Sequence, residues 1–253
     1  MPLQLTYLGC EGVLLRSAAG SVLIDGLFGE EAAPFAMPPA ADRDALRHAR
    51  PPFDGVDVVI ATHYHGDHFD PAAVADHLRA RRRTRFLSTP QAVERFIDAA
   101  GPAFADRAQA LPPVEGVREA VEVNGIRVEY FGLSHGKVNY ADVENLGILV
   151  RLGDRSILHL GDGIIDEKSL RAAGIPGEAA DVGVLPYWFL TYPFGKRLLQ
   201  QSLQPRATFA VHIRVGEREQ IVNEIASWSS AVPLTEPMSR HRIAADGRII
   251  REE

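Results

Sequence analysis

Val56-Asp57-Val58-Val59-Ile60-Ala61-Thr62-His63-Tyr64-His65-Gly66-Asp67-His68 is the stretch on which the rest of the chain turns. Its first part, Val56–Ala61, is nearly all apolar, as expected for a strand buried on both faces of a sheet. Its last six residues carry three histidines and one aspartate, directly after that strand. With nine histidines in the chain, a chance H-x-H-x-x-H somewhere is roughly a one-in-a-hundred event, before the aspartate is demanded. Imidazole is the preferred ligand of borderline metals such as zinc, and carboxylate is accepted beside it. A tight loop carrying Gly66 can aim neighbouring side chains at one point. A continuing strand would send them to opposite faces.

Upstream, Leu3–Leu8, Val13–Arg16 and Ser21–Asp25 predict the first strands, with Ala19-Gly20 turning the second into the third. The stretch from Gly26 to Gly55 is rich in proline and alanine and predicts one helix, Ala41–Arg50. It is either an inserted loop bordering a site or packing material. Downstream, Asp70 is placed to cap a helix that Pro71 opens and that runs to Ala80. Arg85–Ser88 is a short strand, and Thr89 caps a helix from Pro90 to Ala100. Asn124-Gly125 separates Val117–Val123 from Ile126–Leu133, the strongest short-range hairpin signal there is. Gly153-Asp154 does the same between Leu146–Leu152 and Ser156–Leu160. Strand Asp181–Pro186, helix Phe194–Ser202, strand Thr208–His212 and helix Glu217–Trp228 follow, and a last hairpin turns at Asp246-Gly247. Hairpins mixed with strand–helix units predict an α/β fold of two mixed sheets flanked by helices, in one domain over residues 1–253.

Four more residues share a position. Asp25, His135, Asp162 and His212 each stand at the end of a predicted strand, where a sheet fixes the backbone and loops supply side chains. A single histidine there is more often a hydrogen-bonded structural group. Taken with His63, His65, Asp67 and His68, they provide seven ligand-type side chains and one spare carboxylate, Asp25. That is enough for two adjacent metal ions.

On these residues the chain resembles the metallo-β-lactamase superfamily. The loop His63-x-His65-x-Asp67-His68 matches its signature. His135 in Leu133-Ser134-His135-Gly136, Asp162 in Leu160-Gly161-Asp162-Gly163, and His212 in Ala210-Val211-His212 match its other metal motifs in order, and Asp25 matches its early aspartate. The resemblance implies a four-layer αβ/βα sandwich with a dinuclear site at one edge. It implies His63, His65 and His135 on one ion, Asp67, His68 and His212 on the other, and Asp162 between them. The opening Tyr7-Leu8-Gly9-x-x-Gly12-Val13-Leu14-Leu15 is similar to the broad branch that includes ascorbate-6-phosphate lactonase and the N-acyl-phosphatidylethanolamine phospholipase D type. Several such relatives carry histidine where this chain has Cys10.

The activity so implied is hydrolysis of an ester, lactone, amide or phosphoester bond in a small molecule. Two divalent ions, zinc first with manganese or iron as alternatives, would share a water and supply hydroxide. Asp67 would serve both as ligand and as the carboxylate orienting that hydroxide. Asp25 would hydrogen-bond a ligand imidazole or loop amide. Alternatives are a phosphodiesterase or nuclease, an iron-dependent oxidoreductase of the same fold, and a binding module without catalysis.

Composition narrows the field. Net charge is −6 with a pI near 5.9, which argues against nucleic acid as partner. No apolar run approaches the roughly 20 residues of a membrane span, and the N-terminus lacks the basic and apolar regions of a signal peptide, so a cytoplasmic location is expected. Cys10, the only cysteine, excludes an intrachain disulfide and reads as a small buried apolar residue. Oligomeric state is left open. Arg79, Arg81, Arg82, Arg83 and Arg85 form a basic cluster, either a solvated helix end or a phosphate site. Tyr187, Trp188, Phe189, Tyr192 and Phe194 form an aromatic cluster, either core or a substrate wall. Tyr187 and Trp188, with Asn139 and Asn145 after His135, are the candidate substrate contacts. Tyr140 is a further one, and His159 reads as a core or supporting histidine.

Overall fold

The computed structural model describes residues 2–29, 32–136 and 139–252. Strands β1 (Leu3–Gly9), β2 (Gly12–Ser17) and β3 (Gly20–Ile24) run as an antiparallel meander. Helix α1 (Ala40–Arg47) lies in the long segment before β4 (Val58–Ala61), which pairs in parallel with β3. Helix α2 (Pro71–Ala80) then leads to β5 (Arg85–Ser88), and α3 (Pro90–Ala100) to β6 (Ala108–Ala110), both strands continuing the parallel run. Asp70 and Thr89 accept the Ala73 and Ala92 amides as N-caps, so these two helices begin where capping chemistry places them.

The second sheet opens with β7 (Arg118–Val123), β8 (Ile126–Gly132), β9 (Leu146–Leu152) and β10 (Arg155–His159), an antiparallel series. After α4 (Glu167–Ala172), strand β11 (Val182–Pro186) joins β10 in parallel. Helices α5 (Trp188–Thr191) and α6 (Pro193–Leu198) precede β12 (Ala207–Val211), and α7 (Arg218–Ala226) precedes the two-residue β13 (Val232–Pro233). The last hairpin, β14 (Arg240–Ile243) and β15 (Ile249–Glu252), returns to β1. The first sheet runs β15-β14-β1-β2-β3-β4-β5-β6 and the second β13-β12-β11-β10-β9-β8-β7.

Period-two alternation divides each strand between two cores. Val22, Ile24, Val58 and Ile60 of the first sheet share one apolar cluster with Val128, Ile148, Val150, Ile157 and Val184 of the second. Their neighbours Leu23, Val59 and Ala61 turn the other way, onto Val74, Leu78 and Phe96 of α2 and α3. Behind the second sheet, Leu149, Leu158 and Ala210 pack with Leu170, Leu190, Leu198 and Ile221 of its helices. Two mixed sheets flanked by helices result, the sandwich that the sequence predicts.

Predicted boundaries move by a residue or more at several elements, most of all at two helices. The helix expected over Phe194–Ser202 starts at Pro193 and gives way after Leu198 to a π-type turn, Leu199–Leu203. The one expected over Ala41–Arg50 spans Ala40–Arg47. No helix among the described residues is long and apolar enough to cross a membrane.

Sheet geometry determines where function can sit. The parallel strands β3 and β4, and β10 to β12, end at one edge of the sandwich. Two backbone hydrogen bonds stitch the sheets together there: Leu146 donates to the Thr62 carbonyl at 3.0 Å, and His212 to the Cys10 carbonyl at 2.9 Å. The arginine cluster lies at the other end. Arg85 pairs with Val58, the first residue of β4, while Ser88 pairs with Ala61, the last.

Candidate metal centre

His63 and His65 leave the end of β4, His135 leaves the loop after β8, and Asp162 leaves the loop after β10. The structure brings all four together. His63 Nε2 is 3.0 Å from His65 Nδ1 and 3.2 Å from His135 Nε2, and Asp162 Oδ2 is 3.3 Å from His135 Nε2. A second group gathers beside it from Asp67, His68, His212 and Cys10. His68 Nε2 is 3.6 Å from Asp67 Oδ2, and His212 Nε2 is 3.9 Å from the same oxygen. Asp162 reaches this group with its other oxygen: Oδ1 is 3.4 Å from His68 Nε2 and 3.2 Å from His212 Nε2. One carboxylate therefore has an oxygen in each group.

Asp25 sits behind both groups, 1 % exposed. It accepts the Thr62 amide and the Thr62 hydroxyl, each at 2.7 Å, and its Oδ2 is 3.0 Å from His68 Nδ1. Because the Thr62 hydroxyl donates to Asp25, it accepts from His63 Nδ1 at 3.0 Å. Both imidazoles thus carry the proton on Nδ1 and turn the Nε2 lone pair to the centre.

Without a cation at the centre, the imidazoles differ in how readily they take a second proton. Burial holds His63 well below the usual imidazole range, helped by the neighbouring His68 and His135 rings. Burial and then His135 lower His65 in the same way. At His68 burial opposes the cation too, yet Asp162, Cys10 and Asp25 outweigh it and raise its pKa well above the ordinary value. Burial would raise Asp162, but His68 and His212 hold it well below the usual carboxylate range.

The donor set fits divalent cations. Metal–nitrogen bonds of about 2.0–2.1 Å in a tetrahedron separate neighbouring donors by about 3.4 Å, and the separations above bracket that distance. Imidazole lone pairs facing one another repel unless a proton or a cation lies between them. Asp162 Oδ1 is buried and makes no directed hydrogen bond, an arrangement that costs about 1–3 kcal/mol unless a cation satisfies it.

Two residues at the centre are not among those the sequence singles out as ligands or supports. Cys10, in the turn between β1 and β2, is not in apolar surroundings: its Sγ is 3.4 Å from Asp67 Oδ2 and 3.7 Å from His68 Nε2. Glu11 is 0 % exposed and neither carboxyl oxygen has a hydrogen-bond partner. It approaches His68 and Asp162 on one side and Asp25 and His159 on the other. Burial, then the charge of Asp162, raises its pKa well above the ordinary carboxylate value. The signal for it was a lone carboxylate within an otherwise apolar and glycine run, Leu8-Gly9-Cys10-Glu11-Gly12-Val13. Cys10, Asp25 and His212 also adopt left-handed backbone conformations, with φ of 46°, 47° and 62°. Such conformations cost free energy outside glycine and gather at functional sites.

A cleft of about 750 Å³ opens beside the first group, between His135, Tyr140 and Asp162 and an apolar wall that includes Ile164, Trp188 and Phe194. Trp188 is fixed by its Nε1 donating to the Gly163 carbonyl at 3.0 Å, and its ring meets His212 edge-on at 5.1 Å. Tyr187 packs behind Trp188. Part of the aromatic cluster is therefore wall and part is core, since Phe189 is fully buried. Asn139 is exposed, next to residues 137–138, which lie outside the described ones. Asn145 does not face the cleft as expected: it is 1 % exposed, its amide donates to Leu160 and its oxygen accepts the Asp162 amide at 3.1 Å. It holds the Asp162 loop. His159 is fully buried, hydrogen-bonded to the Glu11 carbonyl and the Gly161 amide. The proline-rich stretch does border the site, where Phe35 packs against His212 at 4.5 Å.

A family model described as a β-lactamase superfamily domain matches residues 21–192. No curated protein matches the sequence. Among solved structures, a possible metal-dependent hydrolase from Veillonella parvula superposes with a TM-score of 0.66 at 18 % identity, over 95 % of this chain and 99 % of that one. Igni18, a metallo hydrolase from the archaeon Ignicoccus hospitalis, gives 0.64 at 15 % identity, over 100 % and 99 %. CmlA, a diiron β-hydroxylase from Streptomyces venezuelae, gives 0.61 at 16 % identity, over 99 % of this chain and 54 % of that one. At such identities these likenesses concern the fold.

Proposed function

The chain belongs to the metallo-β-lactamase superfamily, and from that premise we propose that it is a dinuclear metal-dependent hydrolase of small molecules bearing an apolar substituent. The observation that carries this is Asp162, whose two oxygens approach His135 on one side and His68 and His212 on the other. His63, His65 and His135 would hold one ion and Asp67, His68 and His212 the other, with Asp162 shared. When bound, such ions lower the pKa of a water and polarise the electrophile, which suits attack on ester, lactone, amide or phosphoester bonds.

The protein's own residues do the rest. Asp67, with its side chain 24 % exposed, would orient the attacking water. Asp25 keeps His63 and His68 in the ligating tautomer. The wall of Ile164, Trp188 and Phe194 takes up the apolar part of the substrate and excludes water from the reacting bond. The arginine cluster lies at the far end of β5, so it lends no support to a phosphate group in this site.

The deciding experiment is elemental analysis of protein purified without chelators or metal-affinity media, followed by a screen of lactones, esters, amides and phosphodiesters. The expected result is about two equivalents of zinc or manganese per chain and turnover that a chelator abolishes. Iron as the resident metal would move the assignment to redox chemistry. No metal bound, and none taken up, would overturn it.

A further inference from the structure

From the placement of its sulfur we infer that Cys10 is a thiolate ligand of the second metal position, alongside Asp67, His68 and His212. The inference rests on the dinuclear reading of the centre and adds a ligand to it. Cys10 is not an isolated thiol. Its Sγ lies within 4.8 Å of ligand atoms of all three other residues, and the nearer separations, 3.4 and 3.7 Å, suit one ion. A metal–sulfur bond of about 2.3 Å beside a metal–nitrogen bond of about 2.0–2.1 Å places the two donors about 3.6 Å apart.

A second, independent feature points at the same spot. Asp162 Oδ1 is buried without a directed hydrogen bond and faces His68 and His212. The backbone also holds the sulfur in place. The Cys10 carbonyl accepts the His212 amide at 2.9 Å and the Tyr7 hydroxyl at 3.4 Å, and the residue keeps a left-handed φ of 46°. A cysteine that merely filled space would be expected among apolar neighbours. This one stands against a carboxylate and an imidazole.

On binding, the S–H bond breaks, its electron pair forms the bond to the ion, and the proton leaves to solvent. Thiolate is a soft ligand and favours zinc over manganese at that position. The two positions then differ: a histidine-rich one, and one carrying sulfur.

The test is anaerobic titration of the metal-free full-length protein with cobalt(II), watched by absorption. Because Cys10 is the only cysteine, a near-ultraviolet thiolate-to-cobalt charge-transfer band can come from no other residue. The expected result is that this band grows with cobalt loading in the wild type. It should be missing in C10S and C10A, whose visible cobalt bands persist and whose affinity for the weaker equivalent falls at least about tenfold. Visible cobalt bands without a charge-transfer band in the wild type would overturn the inference and leave the dinuclear reading standing. The wild-type spectrum decides this even if neither variant folds. No cobalt bound at all would overturn both.

Discussion

Asp25 Oδ2 lies 3.0 Å from His68 Nδ1 and at the same time accepts the Thr62 hydroxyl at 2.7 Å. One buried carboxylate thereby sets the tautomers of two candidate ligands, His68 directly and His63 through Thr62. Asp25→Asn is the informative substitution, because asparagine tolerates the left-handed φ of 47° that alanine would resist. Its amide removes one acceptor. We expect metal affinity to fall about 10–100-fold, with the fold retained, as read by competition with a chromophoric chelator. Unchanged affinity would show that Asp25 serves only the Thr62 loop.

Asp162 and His135 should differ in kind. His135 belongs to one donor group, whereas Asp162 touches both. His135→Ala is expected to bind one equivalent of metal tightly and Asp162→Ala to bind neither tightly, by elemental analysis after dialysis. If Asp162→Ala kept one tight equivalent, the carboxylate would belong to a single position.

Phe194 is an accessible part of the cleft wall, 38 % exposed. Phe194→Ala removes apolar surface without touching the donors. Losing contact worth about 1.5 kcal/mol raises KM about tenfold for substrates with a bulky apolar group and leaves metal content unchanged. An equal effect on small polar substrates would argue against a role in recognition.

How much of this was legible in the sequence follows from distance along the chain. The His63–His68 loop is local, so its pattern shows without a fold. The turns at Asn124-Gly125 and Gly153-Asp154 are local too, and both hairpins stand where they mark them. Cys10 and Glu11 could not be placed in this way. They reach the centre only because β2 and β3 pair between their turn and β4, a relationship made by register across the sheet. Asn145 misled for the same reason: a polar residue after His135 suggests substrate, yet its partners Leu160 and Asp162 come from the loop after β10. The short helices α4 and α5 and the strands β6 and β13 are too brief for periodicity to register.

Away from the centre, Glu129 is a buried carboxylate among arginines, 2.9 Å from Arg151 Nε and 3.1 Å from Arg127 Nε. Burial would raise its pKa, but these hydrogen bonds hold it below the ordinary glutamate value. A depressed folded pKa contributes stability above the unfolded value of about 4.3, and that contribution is lost as pH falls through the folded one. The wild type should therefore weaken on acidification below about pH 4.3 more steeply than Glu129→Gln. At neutral pH the variant is expected to be less stable by about 1–3 kcal/mol. Urea midpoints across the acid range check both, and parallel curves for the two proteins would remove Glu129 from the account.

Gly161 tests whether the Asp162 loop is held as tightly as its contacts imply. Its φ is +52°, and a Cβ there would lie 2.5 Å from Asn145 Oδ1 and 2.8 Å from the Thr62 Cβ. Gly125 is the control: its φ is +79°, but a Cβ there would meet nothing within 4 Å. Gly125→Ala should cost only the backbone penalty, about 1–2 kcal/mol. Gly161→Ala bears that penalty and must also displace Asn145, whose oxygen accepts the Asp162 amide, and Thr62, which links Asp25 to His63. We expect it to be the less stable of the two and to lose metal at both positions, while Gly125→Ala keeps its full content. Should Gly161→Ala match Gly125→Ala in both stability and metal content, the loop has room to shift, and the position of Asp162 between the two groups is not fixed by its neighbours.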